Sequence, residues 1–139
     1  MYLLDTNVIS EFRKAGSGKA DRQVRAWAES VQPASMYLSA ITVLELELGC
    51  LLMERRDTAQ GAILRSWKET YVLAAFDGRI LPVDVAIATR SAALHVPNPC
   101  SYRDSLIAAT ALVHGMTVVT RNTAHFARMR VALLNPWQP

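Results

Sequence analysis

Long apolar runs are missing from this 139-residue chain: nothing approaches the roughly 18 residues that a membrane span needs. The opening segment Met1-Tyr2-Leu3-Leu4-Asp5 lacks the basic n-region of a signal peptide and meets a carboxylate at once, so it reads as a first strand. Cysteine is scarce: Cys50 and Cys100 are the only two, far apart and in no metal-like spacing. One disulfide is compatible with them, but free thiols in a reducing cytoplasm are the expectation. His95, His114 and His125 share no ligand spacing, and no Cys–His cluster points to zinc. The chain has no GxGxxG, Walker A or GxSxG pattern, which argues against dinucleotide enzymes, P-loop enzymes and α/β-hydrolases. Lysine is nearly absent as well. Lys14, Lys19 and Lys68 are the only three, so arginine supplies most of the 15 basic residues.

What is present suffices for one folded domain over residues 1–139, with a single real core. A hydrophobic fraction of 51% and a mean hydropathy of +0.13 exclude a disordered chain. The net charge of +3 suits a polyanionic partner and equally a solvated basic surface. More informative is the arginine bias, because a guanidinium grips phosphate with two donors at once.

Periodicity lays out alternating strands and helices. Short apolar strands are predicted at 2–5, 36–39, 79–83, 117–120 and 131–134. Helices are predicted at 6–14, 21–31 with Asp21 as N-cap, 42–55, 58–76, 84–95 with Asp84 as N-cap, and 102–114. Gly115 is an expected C-terminal stop for the last of these, which is apolar almost all round and therefore belongs inside the domain. Leu44, Leu48, Leu51 and Leu52 mark the apolar side of the helix over 42–55. Strands that alternate with helices argue for an α/β fold, a short parallel sheet with helices on both faces. Ligands of such sheets bind at the carboxyl ends of the strands.

Three carboxylates fall at that edge. Asp5 closes the first strand, Glu45 follows the second by one helical turn, and Asp104 opens the first turn of the buried helix. Each has a bland reading: Asp5 caps the helix that begins at Thr6, while Thr42–Glu45 and Ser101–Asp104 match the capping-box spacing. Gathered together, however, like charges repel and raise one another's pKa. A hard cation such as Mg²⁺ or Mn²⁺ removes that cost, because it favours carboxylate and water oxygen, and it activates water against a phosphoryl centre. Glu11 ranks fourth among the acids. Glu47, two positions from Glu45, is expected to face solvent. Thr120, Arg121 and Asn122 close the fourth strand at the same edge.

The segments LLDTNVISE (3–11), LSAITVLELELG (38–49), RDSLIAATALVHGMTVVTRN (103–122) and LNPW (134–137) resemble, in order and spacing, the PIN-domain toxins of type II toxin–antitoxin systems, the VapC family and especially its FitB-like members. The resemblance implies a PIN-like three-layer fold and a Mg²⁺- or Mn²⁺-dependent endoribonuclease. It also implies a homodimer, a cognate antitoxin that blocks the active site, and a higher assembly with operator DNA. Asp5, Glu45 and Asp104 match the family acids that hold the metal; Thr6 and Asn7 match the residues beside the first acid, and Thr120 the hydroxyl that ends the fourth strand. One position departs: relatives often carry an acid where this chain has Asn122. Its amide oxygen can orient a water on the metal, or it is a turn residue; with three formal charges rather than four, one tightly held cation is expected. Arg103 and Arg121 are candidates for RNA phosphates. The helix from Leu44 to Met53 is either a dimer surface or internal core.

Two other classes compete. A PIN-fold RNA- or DNA-binding regulatory protein acting with its antitoxin would keep the fold with weak or no nuclease activity. A phosphoacceptor receiver domain needs a lysine at a strand end, and none of the three lysines lies at one.

Overall fold

A computed structural model describes residues 1–138. Five strands form one sheet: β1 (Tyr2–Leu4), β2 (Met36–Ser39), β3 (Ile80–Leu81), β4 (Thr117–Val119) and β5 (Leu133–Leu134), in the order β3-β2-β1-β4-β5. Every pairing is parallel; Tyr2 sits opposite Met36 on one side and Thr117 on the other. Helices supply the crossovers: α1 (Thr6–Arg13), α2 (Arg22–Ser30), α3 (Ala40–Arg56), α4 (Thr58–Trp67), α5 (Leu73–Ala75), α6 (Val85–Ala93), α7 (Tyr102–His114) and α8 (Thr123–Phe126). A π turn over Lys68–Val72 joins α4 to α5, where the sequence predicts one unbroken helix. The short α8 was not expected from the sequence. Among the described residues, no helix is long and apolar enough to cross a membrane.

The period-2 geometry of the strands divides the core into two layers. Leu4, Met36, Leu38 and Val119 point to one face, where they meet Val8 and Ile9 of α1, Leu46 of α3, and Val72 and Phe76. Leu3 and Val118 point to the other, against Ile107, Ala108 and Ala111 of α7, Phe126 of α8 and Met129. The expected sheet with helices on both faces is the observed one. Gly115, at φ 67°, ends α7 in the left-handed conformation that favours glycine.

The strand order reverses direction between β1 and β4, because the chain grows outward from β1 through β2 to β3 and then returns to lay β4 and β5 on its other side. That reversal opens a crevice at the carboxyl ends of the two central strands. Asp5 and Thr120 are the residues that follow those strands.

Two expectations about α3 fail. Ser39, not Thr42, caps the helix, its Oγ accepting from Ile41 N at 3.0 Å. Thr42 and Glu45 are therefore interior helical residues and form no capping box. The side chains that α3 buries are Thr42, Leu46 and Cys50, whereas Leu44, Leu48, Leu51 and Leu52 are each about half exposed, from 49% to 59%. The helix carries two apolar stripes, and the shorter one faces the sheet. The reading of this helix as wholly internal core is thereby excluded.

Glu47 does not simply face solvent either. It accepts from Arg65 Nη1 and Nη2, both at 3.0 Å, and from Lys68 Nζ at 2.7 Å. Arg65 also grips Glu54 through Nε (2.7 Å) and Nη2 (3.0 Å). This network ties α4 to α3, on the side of α3 opposite Glu45. The hydrogen bonds from Arg65 and then Lys68 hold the Glu47 carboxyl down at about 2. Where the helices cross, Gly61 lies so close that a Cβ would sit 2.5 Å from Glu54 Cα. Both cysteines are free thiols, Cys50 buried and Cys100 partly so.

A carboxylate cluster at the switch point

Asp5 is fully buried at the end of β1. Its extended backbone makes it the N-cap of α1, with Oδ1 accepting from Thr6 N at 2.8 Å. The cap reading is correct but incomplete. Oδ2 accepts from the buried Thr120 hydroxyl at 2.8 Å and from Asn7 Nδ2 at 3.4 Å. Thr120 Oγ1 in turn accepts from Asn7 Nδ2 (3.3 Å) and from Asn122 N (3.0 Å), while Arg121 N donates to Asn7 Oδ1 (3.2 Å). The ends of β1 and β4 are thus knitted together around one carboxylate.

Glu45 arrives from the second turn of α3, oriented by Thr6, whose Oγ1 donates to Oε1 at 2.5 Å and contacts Thr42 Oγ1 at 3.2 Å. Asp104 lies in the first turn of α7, where the helix dipole favours an anion. Ser101 Oγ accepts from Asp104 N at 3.2 Å, which is one half of a capping box. The Asp104 carboxylate does not complete the other half. Its Oδ1 accepts from Arg103 instead.

The three acids meet at Arg103. Its Nε donates to Glu45 Oε2 at 2.6 Å, Nη1 to Asp104 Oδ1 at 2.6 Å, and Nη2 to Asp5 Oδ1. The guanidinium expected to meet RNA phosphate is instead on the carboxylates. Burial alone would depress its pKa; the hydrogen bond to Glu45 and the charge of Asp5 outweigh that and raise it above the ordinary arginine range. His125 stands at the rim, Nδ1 3.9 Å from Asp104 Oδ2.

Asp5, Glu45, Asp104 and Thr120 come together, although they are spread over more than 110 residues of sequence. Asn122 contributes its backbone N–H; its side chain is exposed and makes no cap to α8. Glu11 is buried elsewhere in use, accepting from Lys14 Nζ (3.2 Å) and Asp21 N (2.9 Å). Sequence reasoning missed the groove that starts at the cluster. It has a volume of about 570 Å³ and runs from Thr6 and Glu45 past Arg13 and Lys14 to Trp67, with the Arg13 guanidinium 5.7 Å from the Trp67 ring centre. Only the sequence distance between these residues concealed it.

The donor set suits a hard divalent cation. Three carboxylate oxygens from three elements converge on one positive group, with no sulfur or imidazole among them. A five-stranded parallel sheet in this order, with an acid cluster at its switch point, defines a small α/β class of protein. The PIN domain family model matches residues 2–132, and the chain belongs to that family. It is 40% identical, over 100% of its length and 99% of the relative's, to the VapC ribonuclease Y4jK of Sinorhizobium fredii. It is 41% identical, over 99% of each, to Toxin FitB of Neisseria gonorrhoeae. Its fold superposes on a chain of FitAB bound to the IR36 DNA fragment with a TM-score of 0.89 and 39% identity, covering 100% of this chain and 97% of that one.

Proposed function

We propose that this chain is a divalent-cation-dependent endoribonuclease, the toxin of a toxin–antitoxin pair. The observation that carries the reading is the convergence of Asp5, Glu45 and Asp104 on a single cationic group at the switch point. Relatives of matching length named as a VapC ribonuclease and as a toxin support it. Asp5, Glu45 and Asp104 are the residues that would hold Mg²⁺ or Mn²⁺. When bound, such an ion supplies activation of water and neutralisation of charge on a phosphoryl oxygen.

The chain's own contribution is positioning. Thr6 and Thr120 fix the orientation of Glu45 and Asp5 through hydroxyl donors, so both carboxylates are held before substrate arrives. Asn122, exposed beside Thr120, would orient water or substrate by its amide. The groove past Arg13 and Lys14 offers an RNA strand cations for its phosphates. Arg121 is exposed, its guanidinium 5.2 Å from the Trp137 ring centre, and supplies a further phosphate contact. The partners that follow are a cognate antitoxin covering the acid cluster and operator DNA bound through that complex. The exposed leucines of α3 are the face for pairing with a second copy, and the cytoplasm is the compartment.

The test is hydrolysis of structured RNA in Mn²⁺ by the wild type and by Asp5→Asn. Loss of at least about 100-fold in rate is expected from removing one buried charge of the cluster. Equal cleavage by the two proteins would overturn the assignment and favour a binding protein that acts without chemistry.

A further inference from the structure

The carboxylate oxygens of the cluster differ in what they touch. Asp5 Oδ2 is committed to Thr120 and Asn7, and Glu45 Oε1 to Thr6. Asp104 Oδ2 faces His125. The other oxygens, Glu45 Oε2, Asp104 Oδ1 and Asp5 Oδ1, which also accepts from Thr6 N, each receive one nitrogen of the Arg103 guanidinium. A cation held by the three acids would meet the guanidinium at these oxygens. Among the described residues, no three acid, histidine or cysteine side chains are closed to ligating distance around one point. The carboxylates are spread around a planar fork instead.

Local forces do not explain an arginine at this place. Arg103 is the second residue of α7, where the positive end of the helix dipole disfavours a cation. Its side chain is about one-third exposed, so the guanidinium has a way out to solvent. What holds it inward is the charge of the three acids.

We propose that Arg103 is a built-in counter-ion that competes with the divalent cation for these three oxygens, so that loading the metal requires the guanidinium to swing out of the cluster. This rests on the cation-site reading given above and adds to it a residue that sets the affinity of the site. In the metal-free protein Arg103 relieves the repulsion among the acids and keeps the fold intact. The same contact lowers apparent metal affinity by the fraction of molecules in which the seat is taken, so a guanidinium in place 90–99% of the time weakens binding roughly 10- to 100-fold.

The experiment is calorimetric titration of Mn²⁺, without RNA, into wild type, Arg103→Gln and Arg103→Lys, with thermal unfolding of each metal-free protein. Arg103→Gln is expected to bind Mn²⁺ at least about tenfold more tightly than wild type while melting at a lower temperature without metal. Arg103→Lys, whose single ammonium cannot bridge three acids in a fork, should fall between them. It also serves as the measurable variant if Arg103→Gln does not fold without metal. Equal Mn²⁺ affinity in all three proteins would overturn the competition and leave the cation site standing. Weaker binding in Arg103→Gln would overturn it too, by making Arg103 a supporter of the metal. No Mn²⁺ binding by any of the three would overturn the cation site itself and the proposal with it.

Discussion

Replacing Thr120 by valine removes one hydroxyl and changes the shape of the side chain little. In the native protein that hydroxyl is fully buried, donates to Asp5 Oδ2 at 2.8 Å, and accepts from Asn122 N at 3.0 Å. Asp5 is fully buried as well, so its oxygen cannot turn to water when the donor is lost. It keeps only the long 3.4 Å contact from Asn7. A hydrogen bond to a charged group contributes about 1.5–3 kcal/mol. The Asn122 N–H lies on an exposed residue that can find solvent, so it adds little. The expected loss is about 2–3 kcal/mol. At roughly 2.1 cal/mol/K of unfolding entropy per residue, that lowers Tm by about 7–10 °C. Urea unfolding with linear extrapolation measures it. Thr120→Ser keeps the oxygen and loses one methyl group, and should recover all but about 1 kcal/mol. A valine variant within about 0.5 kcal/mol of wild type, with serine less stable than valine, would refute the claim that this hydroxyl holds Asp5.

Gly61→Ala places a Cβ 2.5 Å from Glu54 Cα, a backbone atom that cannot step aside without moving α4 from α3. We expect a loss of about 1–3 kcal/mol in urea unfolding, while Gly49→Ala, with nothing within 4 Å of its Cβ, should be neutral or stabilising. The Glu47 carboxyl sits at about 2, below its ordinary value of 4.5. The stability it contributes is therefore complete above about 4.5 and lost as pH falls through about 2. Wild-type stability should drop more steeply over that window than that of Glu47→Gln; equal slopes would refute the pairing with Arg65 and Lys68.

Much of this fold is written in local pattern. Leu3 and Leu4, adjacent apolar residues in a strand, had to enter two different layers, and they do. Asp5, Asp104 and Thr120 were legible because strand ends and first turns are positions that periodicity locates well. Glu45 was legible from its place one helical turn after the second strand, and the capping box that offered it a bland role does not exist. The leucines of α3 misled for a physical reason. Leu44, Leu48 and Leu51 make a longer helical stripe than Leu46 and Cys50, and periodicity cannot say which of two stripes meets the sheet. Glu47 was misread because its partners lie 18 and 21 residues away, beyond a helix-to-helix turn. Arg103 was legible as a basic residue near the site but not as the centre of it. Its contact with Asp5 spans 98 residues, and only the assembled sheet brings the two together. The Arg13–Trp67 groove was hidden for the same reason.

We propose that Asp5, Glu45 and Asp104 form one cation site at the switch point between β1 and β4. Anomalous scattering at the manganese edge, from crystals grown with Mn²⁺, tests it directly. A single strong peak within ligating distance of all three carboxylates is expected. Manganese elsewhere on the protein, with nothing among these three acids, would contradict it.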